Sequence, residues 1–333
     1  MNNSTENLAL VSVIMPVYNG AMYLKEAIES ILSQTYHNFE FIIINDGSTD
    51  DSEQIILSYD DSRINYIKNP ENYTLINTLN IGFSLAKGKF IARMDQDDIS
   101  HPERLEKQVQ FFDSNPEYGL LGTGVNLIKN EGKEKLLYHT DHTSLKFALA
   151  FYCPFIHPSV MLRTTVFDSF IFFYDENYVH GEDYELWTRL AFKTKMANLP
   201  EYLLDYRLHA SQISSQYNLH QIDLAISIRK KYLSNYFSED SIGLSYVFKF
   251  NTSEHSILFL SEEIKKLYTL DQYKSVFGGK NFSRYLIDLW KNLFLEATDL
   301  RVRYFVYFVF NSITWKSNWT IRQMFAICLK TFK

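Results

Sequence analysis

Only two cysteines, Cys153 and Cys328, occur in 333 residues, far apart and outside any metal-ligand spacing. That scarcity excludes a disulfide scaffold and a cysteine-based zinc site, and it suits a reducing cytosol. No basic n-region precedes the apolar stretch at residues 8–15, so no secretory signal peptide is expected. No run reaches the ~18 apolar residues that a membrane-spanning helix needs. Internal repeats and low-complexity tracts are also lacking. Hydrophobic residues make up 46% and charged residues 22%, a balance that excludes a wholly disordered chain.

The length suffices for one large α/β domain and a smaller appendage. Formal net charge is −6, but it is unevenly spread. Residues 1–216 carry 17 basic against 29 acidic side chains, whereas residues 217–333 carry 16 against 10. The acidic first part argues against nucleic acid as its partner. The opposite balances predict different partners for the two parts.

Val11-Ser12-Val13-Ile14-Met15, halted by Pro16, predicts a buried strand. Leu24, Ala27, Ile28, Ile31 and Leu32 then fall on one helical stripe. Phe41-Ile42-Ile43-Ile44 predicts a second strand, stopped by the turn formers Asn45-Asp46-Gly47-Ser48. Strand, helix and strand make a βαβ unit, which favours a right-handed crossover in a largely parallel sheet. A third strand over 64–67, a helix over 75–86 and a fourth strand over 89–94 follow. Ser100 and Glu103 match a capping box for a helix starting near Pro102. Residues 120–180 read as mixed strands and loops, and a further helix is predicted over 184–193. From about 217 the pattern is mainly helical, with a domain boundary near Gln216.

Ligands gather at the carboxyl ends of the strands in a parallel α/β sheet. Three polar clusters are predicted there: Pro16-Val17-Tyr18-Asn19, Asn45-Asp46-Gly47-Ser48 and Asp95-Gln96-Asp97-Asp98. In extended backbone Asp95 and Asp97 share one side, while Gln96 and Asp98 point elsewhere. Two converging carboxylates repel unless a cation sits between them, and Mg²⁺ or Mn²⁺ fits; the alternative is a solvated turn before the next helix. An EF-hand is excluded, because Ile99 and Ser100 stand where its loop needs a ligand and a glycine. Asp46 suits acceptance of a nucleobase N–H such as that of uracil, or simply builds a turn. Glu182 and Asp183 open a helix, either as capping acids or as a general base kept ionised by the helix dipole. His157 and His209 are lone histidines, a type more often structural than ligating.

In order and spacing these segments resemble the family-2 inverting glycosyltransferases of the GT-A fold. The likeness runs from Val11–Gly20 through Tyr23-Leu24, Ala27–Leu32 and Gln34-Thr35-Tyr36 to Asn45–Asp50. It continues through Ala86–Ile91, Met94–Asp98, His157–Met161, Gly181–Trp187 and Tyr206–His209, over about 200 residues, far more specific than any one motif.

The resemblance implies a Rossmann-like, mostly parallel sheet flanked by helices over residues 1–216, with a helical C-terminal extension over 217–333. It implies sugar transfer from a nucleotide diphosphate, a UDP-sugar, to a hydroxyl of a glycan or lipid-linked glycan in bacterial polysaccharide or glycolipid synthesis. Pro16, Tyr18, Asp46 and Asp95 would bind the nucleotide. Asp97, with Asp95 and His209, would hold Mn²⁺ or Mg²⁺. Asp183 would be the catalytic base with Glu182 beside it, and His157 and Trp187 would form the sugar or acceptor wall. Two departures stand out: Asn45 sits where the family often has Asp, and residues 167–178 lack the usual glycine-rich bend.

Two rivals are a sugar-phosphate nucleotidyltransferase and an inactive nucleotide-sugar-binding subunit. The first normally carries bases in a loop after strand one, which Pro16–Gly20 lacks; the second would have lost Asp46, Asp95, Asp97 or Asp183. Finally, residues 301–333 hold Arg301, Arg303, Lys316, Arg322, Lys330 and Lys333 with no acidic residue, interleaved with aromatics. That mix suits an anionic membrane surface at the cytoplasmic face, or else packing on the catalytic part.

Overall fold

The computed structural model describes residues 8–129, 132–168, 173–209 and 218–236. The chain divides into two compact units, Met1–Ile228 and Arg229–Lys333. The boundary expected near Gln216 and the basic, aromatic segment 301–333 lie outside the described residues.

Strands β1 (Val11–Val17), β2 (Phe39–Asn45), β3 (Ile64–Lys68) and β4 (Phe90–Arg93) form a parallel array in the order β3-β2-β1-β4. β1, β2 and β4 are buried along nearly their whole length because helices cover both faces, whereas the edge strand β3 is only partly buried. On one face Val11, Val13 and Met15 share a core with Leu24, Ala27, Ile28 and Ile31 of α1 (Ala21–Leu32). On the other, α3 (Leu75–Leu85) lies so close that a Cβ on Gly82 would stand 2.6 Å from Ile14 Cγ2. The short α2 (Ser52–Leu57) follows β2.

The second half of the sheet is mixed. It adds β5 (Ile99–Ser100), β6 (Tyr118–Lys129), β7 (Gly132–Leu136), β8 (Met161–Arg163) and β9 (Lys195–Arg207). The order continues β4-β8-β6-β9-β5, with β7 on β6, giving nine strands among the described residues. β6 and β9 are parallel, whereas β5, β7 and β8 run antiparallel to their neighbours. The parallel expectation therefore describes β1–β4 and the β6–β9 pair. Helices α4 (Arg104–Ser114), α5 (His142–Ala148), α6 (Glu182–Leu190) and α7 (Asn218–Ser234) complete the described elements. Among the described residues no helix is long and apolar enough to cross a membrane.

The expected capping box at Ser100 and Glu103 does not form. Ile99 and Ser100 are drawn into β5 against Asp205 and Leu204, and α4 starts at Arg104 without a side-chain cap from Glu103. Gln34, buried at the end of α1, does the capping instead: its Oε1 accepts from the Leu105 N–H at 3.0 Å. Its Nε2 donates to Ser30 O, Ser100 Oγ and His101 O. A long-range amide thus satisfies the orphan helix donor that a local hydroxyl usually serves.

Candidate active site

Because β1, β2 and β4 are parallel, their carboxyl ends deliver three loops to one sheet edge. Pro16 fits there without loss of a ladder bond. Even-numbered residues of β1 face β4, as the Met94 N–H bonded to Ile14 O shows, and the pairing with β4 has ended by residue 16. Gln96 ties two loops together: the Tyr18 N–H donates to its Oε1 at 2.8 Å and its Nε2 donates to Tyr18 O at 3.1 Å. The Tyr18 ring is exposed. Asp50 serves two helices, accepting from Ala21 N at the start of α1 and from Ser52 N at the start of α2. Those bonds hold its carboxyl below the usual range despite partial burial.

Asp46 is 3% exposed. Its Oδ1 accepts from Asn69 Nδ2 at 2.7 Å and from the Tyr73 N–H at 2.8 Å. One oxygen is therefore spent on fixing the loop after β3, and Oδ2 is left for other work. Gly47 makes this approach possible: its φ is +73°, and a Cβ there would stand 2.6 Å from the Glu71 backbone.

The acidic cluster gathers more than the alternation rule predicts. Asp98 was expected to point elsewhere, yet Asp95, Asp97 and Asp98 bring carboxylate oxygens within 4.8 Å of one another. The physical reason is that β4 ends at Arg93, so residues 95–98 turn rather than extend. Asp95 pairs with Arg93, and Asp97 Oδ2 meets His209 Nε2 at 2.8 Å. Asp98 Oδ1 accepts from the Arg207 N–H at 3.0 Å, while its Oδ2 is buried with no hydrogen-bond partner. Burial, then the charges of Asp95 and Asp97, push Asp98 well above the usual carboxylate range. Asp95 is raised mainly by burial, opposed by Arg93. Hard oxygen donors crowded together, one of them orphaned, fit a divalent cation such as Mg²⁺ or Mn²⁺.

Arg93 lies beneath this cluster and is 1% exposed, its Nε without a hydrogen-bond partner. Its carbonyl accepts from Nη2 of Arg104, a fully buried side chain whose Nη1 donates to Pro158 O. Burial pushes Arg104 down to about 9.

The other wall is the first turn of α6. Glu182 is buried with Oε2 unpartnered; burial and then the Asp183 charge push it up to about 7. Asp183 accepts from the Tyr184 N–H through Oδ1 and from the Cys153 thiol through Oδ2. Burial raises it, opposed by those bonds and by Arg93. Its charge in turn adds to the rise of Asp95, after burial and the Asp97 charge.

His157 is half-buried, with Nε2 at 2.8 Å from the Tyr174 hydroxyl, and burial followed by Arg93 favours its neutral form. Trp187 does not line an opening: it is fully buried in the core of α6 and backs His157 with ring centroids 5.9 Å apart. At helical spacing from Leu186 and Leu190, its indole is needed for packing. The contributions of Arg93, Asp98 and Cys153 were not foreseen. Arg93 did carry a signal, as a charge inside the apolar Phe90–Met94 run that demands a buried partner.

A profile of glycosyl transferase family 2 matches residues 12–172. An uncharacterized glycosyltransferase of Haemophilus influenzae is 34% identical over 283 residues, spanning 81% of this chain and 88% of that protein. The chain belongs to glycosyl transferase family 2. Two solved structures share its fold, which is that of the GT-A glycosyltransferases. One is S. aureus TarS 1–349 in complex with UDP-GlcNAc (TM-score 0.56, 17% identity, 86% of this chain and 81% of that one). The other is the mannosyltransferase PcManGT from Pyrobaculum calidifontis in complex with GDP-Man and Mn²⁺ (TM-score 0.55, 13% identity, 97% and 86%). In this glycosyltransferase the three parallel-strand loops, the acidic cluster and the start of α6 all fall within the unit Met1–Ile228.

Proposed function

We propose that this glycosyltransferase moves a sugar, with inversion, from a UDP-sugar to a hydroxyl of a glycan or lipid-linked glycan, in a divalent-metal-dependent reaction. The observation that carries the proposal is the gathering of the Asp95, Asp97 and Asp98 carboxylates within 4.8 Å of one another after β4, with Asp183, half-buried at the start of α6, adding its charge to the rise of Asp95. The donors in the TarS and PcManGT complexes support the class of substrate. In this reading residues 1–216 form the catalytic domain, and the basic, aromatic segment 301–333 offers a surface to anionic lipid at the cytoplasmic face.

Pro16, Tyr18 and Asp46 line the nucleoside pocket, and Asp95 lies towards the ribose. Asp95, Asp97 and Asp98, with His209 beside Asp97, would hold the cation. When bound, it offsets the negative charge that grows on the departing diphosphate. Asp183 takes the proton of the acceptor hydroxyl as that oxygen attacks the anomeric carbon. The bond to the diphosphate breaks on the opposite face, so configuration inverts and no side-chain nucleophile is used. Burial raises the basicity of Asp183, while Arg93 and the Tyr184 N–H favour its ionised form. His157, neutral and anchored on Tyr174, presents a polar edge to the sugar.

The test is Mn²⁺-dependent hydrolysis or transfer across a panel of UDP- and GDP-sugars. Asp183→Asn is expected to lower turnover by at least about 10²-fold while UDP binding survives. Near-normal turnover in that variant would overturn the base assignment.

A further inference from the structure

The contacts that hold Asp97, Asp98 and His209 run back to α1. On the first turns of α1, Tyr23 and Glu26 are spaced to share a face. The Tyr23 ring lies 5.3 Å from the His209 imidazole, tilted by 39°. The Arg207 guanidinium sits 4.7 Å over the same ring, and Glu26 pairs with it. Arg207 then reaches the cluster twice, through its backbone N–H to Asp98 Oδ1 and its Nη1 to Asp97 O, each at 3.0 Å. His209 reaches it once, at Asp97 Oδ2. Tyr23 and Glu26 make no bond to those carboxylates among the described residues, so their influence passes through residues 207 and 209.

We propose that Tyr23 is a positioning residue of the metal centre, its ring a shelf that sets His209 and Arg207 against Asp97 and Asp98 and thereby sets affinity for a divalent cation. The proposal rests on the metal assignment above. β9 ends at Arg207, so the strand ladder does not fix the His209 imidazole. A ligand that must be ordered on binding loses affinity to conformational entropy, and a ring stacked beforehand avoids that loss. The shelf has a second effect. A guanidinium beside a cation site repels the cation, and the Tyr23 π-face with the Glu26 carboxylate draws that charge to the α1 side. Both effects need an aromatic face and neither needs the phenol hydroxyl.

The experiment titrates Mn²⁺ alone into the full-length chain and reads the free ion by electron paramagnetic resonance. Tyr23→Ala is expected to weaken Mn²⁺ binding roughly 10-fold, the size seen when groups that orient ligands are removed. Tyr23→Phe should stay within about 2-fold, restoring what the alanine variant loses, because stacking survives. In a His209→Ala background, Tyr23→Ala should cost less than it does alone, since the His209 route is already lost and only the Arg207 route remains. Unchanged affinity in Tyr23→Ala, or a fully additive loss with His209→Ala, overturns the shelf. Tyr23→Leu, similar in bulk without a π-face, carries the comparison if the alanine variant does not fold. Asp97→Asn is the control: unchanged Mn²⁺ binding there overturns the metal assignment itself, separately from the shelf.

Discussion

The Cys153 thiol donates to Oδ2 of Asp183 across 3.7 Å, placing a soft donor on the carboxylate assigned as base. The thiol stays protonated, because burial and the Asp183 charge push its own ionisation well up. Around Asp183 stand Arg93, which favours the charged form, and Glu182, Asp95, Tyr138 and Tyr174, which sense its charge.

The pH profile of turnover should report this bond. A base works only when ionised, so activity falls as pH drops through the raised Asp183 value. Cys153→Ala removes a bond that favours the ionised form and should move the acid limb to higher pH. Cys153→Ser supplies a stronger donor and should move it lower. Two shifts of the same sign would mean that the residue acts only through packing.

Glu182 links folding to pH. Its folded value, about 7, lies above that of an unfolded glutamate, so the folded state binds more protons between about 4.5 and 7. Stability is therefore lost as pH rises through that window and is flat above it. Glu182→Gln keeps the volume without the charge, and should flatten the loss and raise the urea midpoint at pH 8. An equal pH dependence in the variant would assign the effect to another group.

Arg93 supplies positive charge under three carboxylates. Arg93→Met would leave Asp95 and Asp98 without it, and breaking a buried pair this way costs about 3–5 kcal/mol. A cation in the trio would restore part of the balance. Thermal melts should therefore show Mn²⁺ raising Tm more in Arg93→Met than in the unsubstituted chain. An equal or smaller rise would place Arg93 outside the electrostatics of the cluster.

Much of this was legible in the sequence, and the failures share a cause. The β1–α1–β2 unit was readable because short apolar runs and a 3.6-residue stripe are local properties of Val11–Ile44. The places of Asp46, Asp95 and Asp97 just past β2 and β4 were readable because strand ends show where apolar runs stop. Long-range partners leave no local trace. Gln34 caps a helix from the end of another, Cys153 reaches Asp183 across 30 positions, and Arg207 carries α1 to the acidic cluster. Asp98 was misassigned because side-chain alternation was carried past the end of the strand. Trp187 was placed on a wall by family likeness, whereas its helical spacing already marked it as core.

Thr74 carries backbone strain one residue from the Tyr73 N–H that binds Asp46. Its φ of 77° with ψ of 158° lies in a region that a β-branched residue tolerates poorly, at a cost of about 1–3 kcal/mol. The strain persists because both neighbours are fixed. The Tyr73 N–H must reach Asp46 Oδ1, and Thr74 O must accept from the Thr78 N–H to start α3. Glycine adopts that conformation freely, although its looser unfolded chain returns about 0.5–1 kcal/mol of the gain. Thr74→Gly should therefore stabilise the fold by about 1 kcal/mol, read as a higher urea midpoint with an unchanged slope. A lower midpoint would mean that the threonine side chain contributes packing worth more than the strain it imposes.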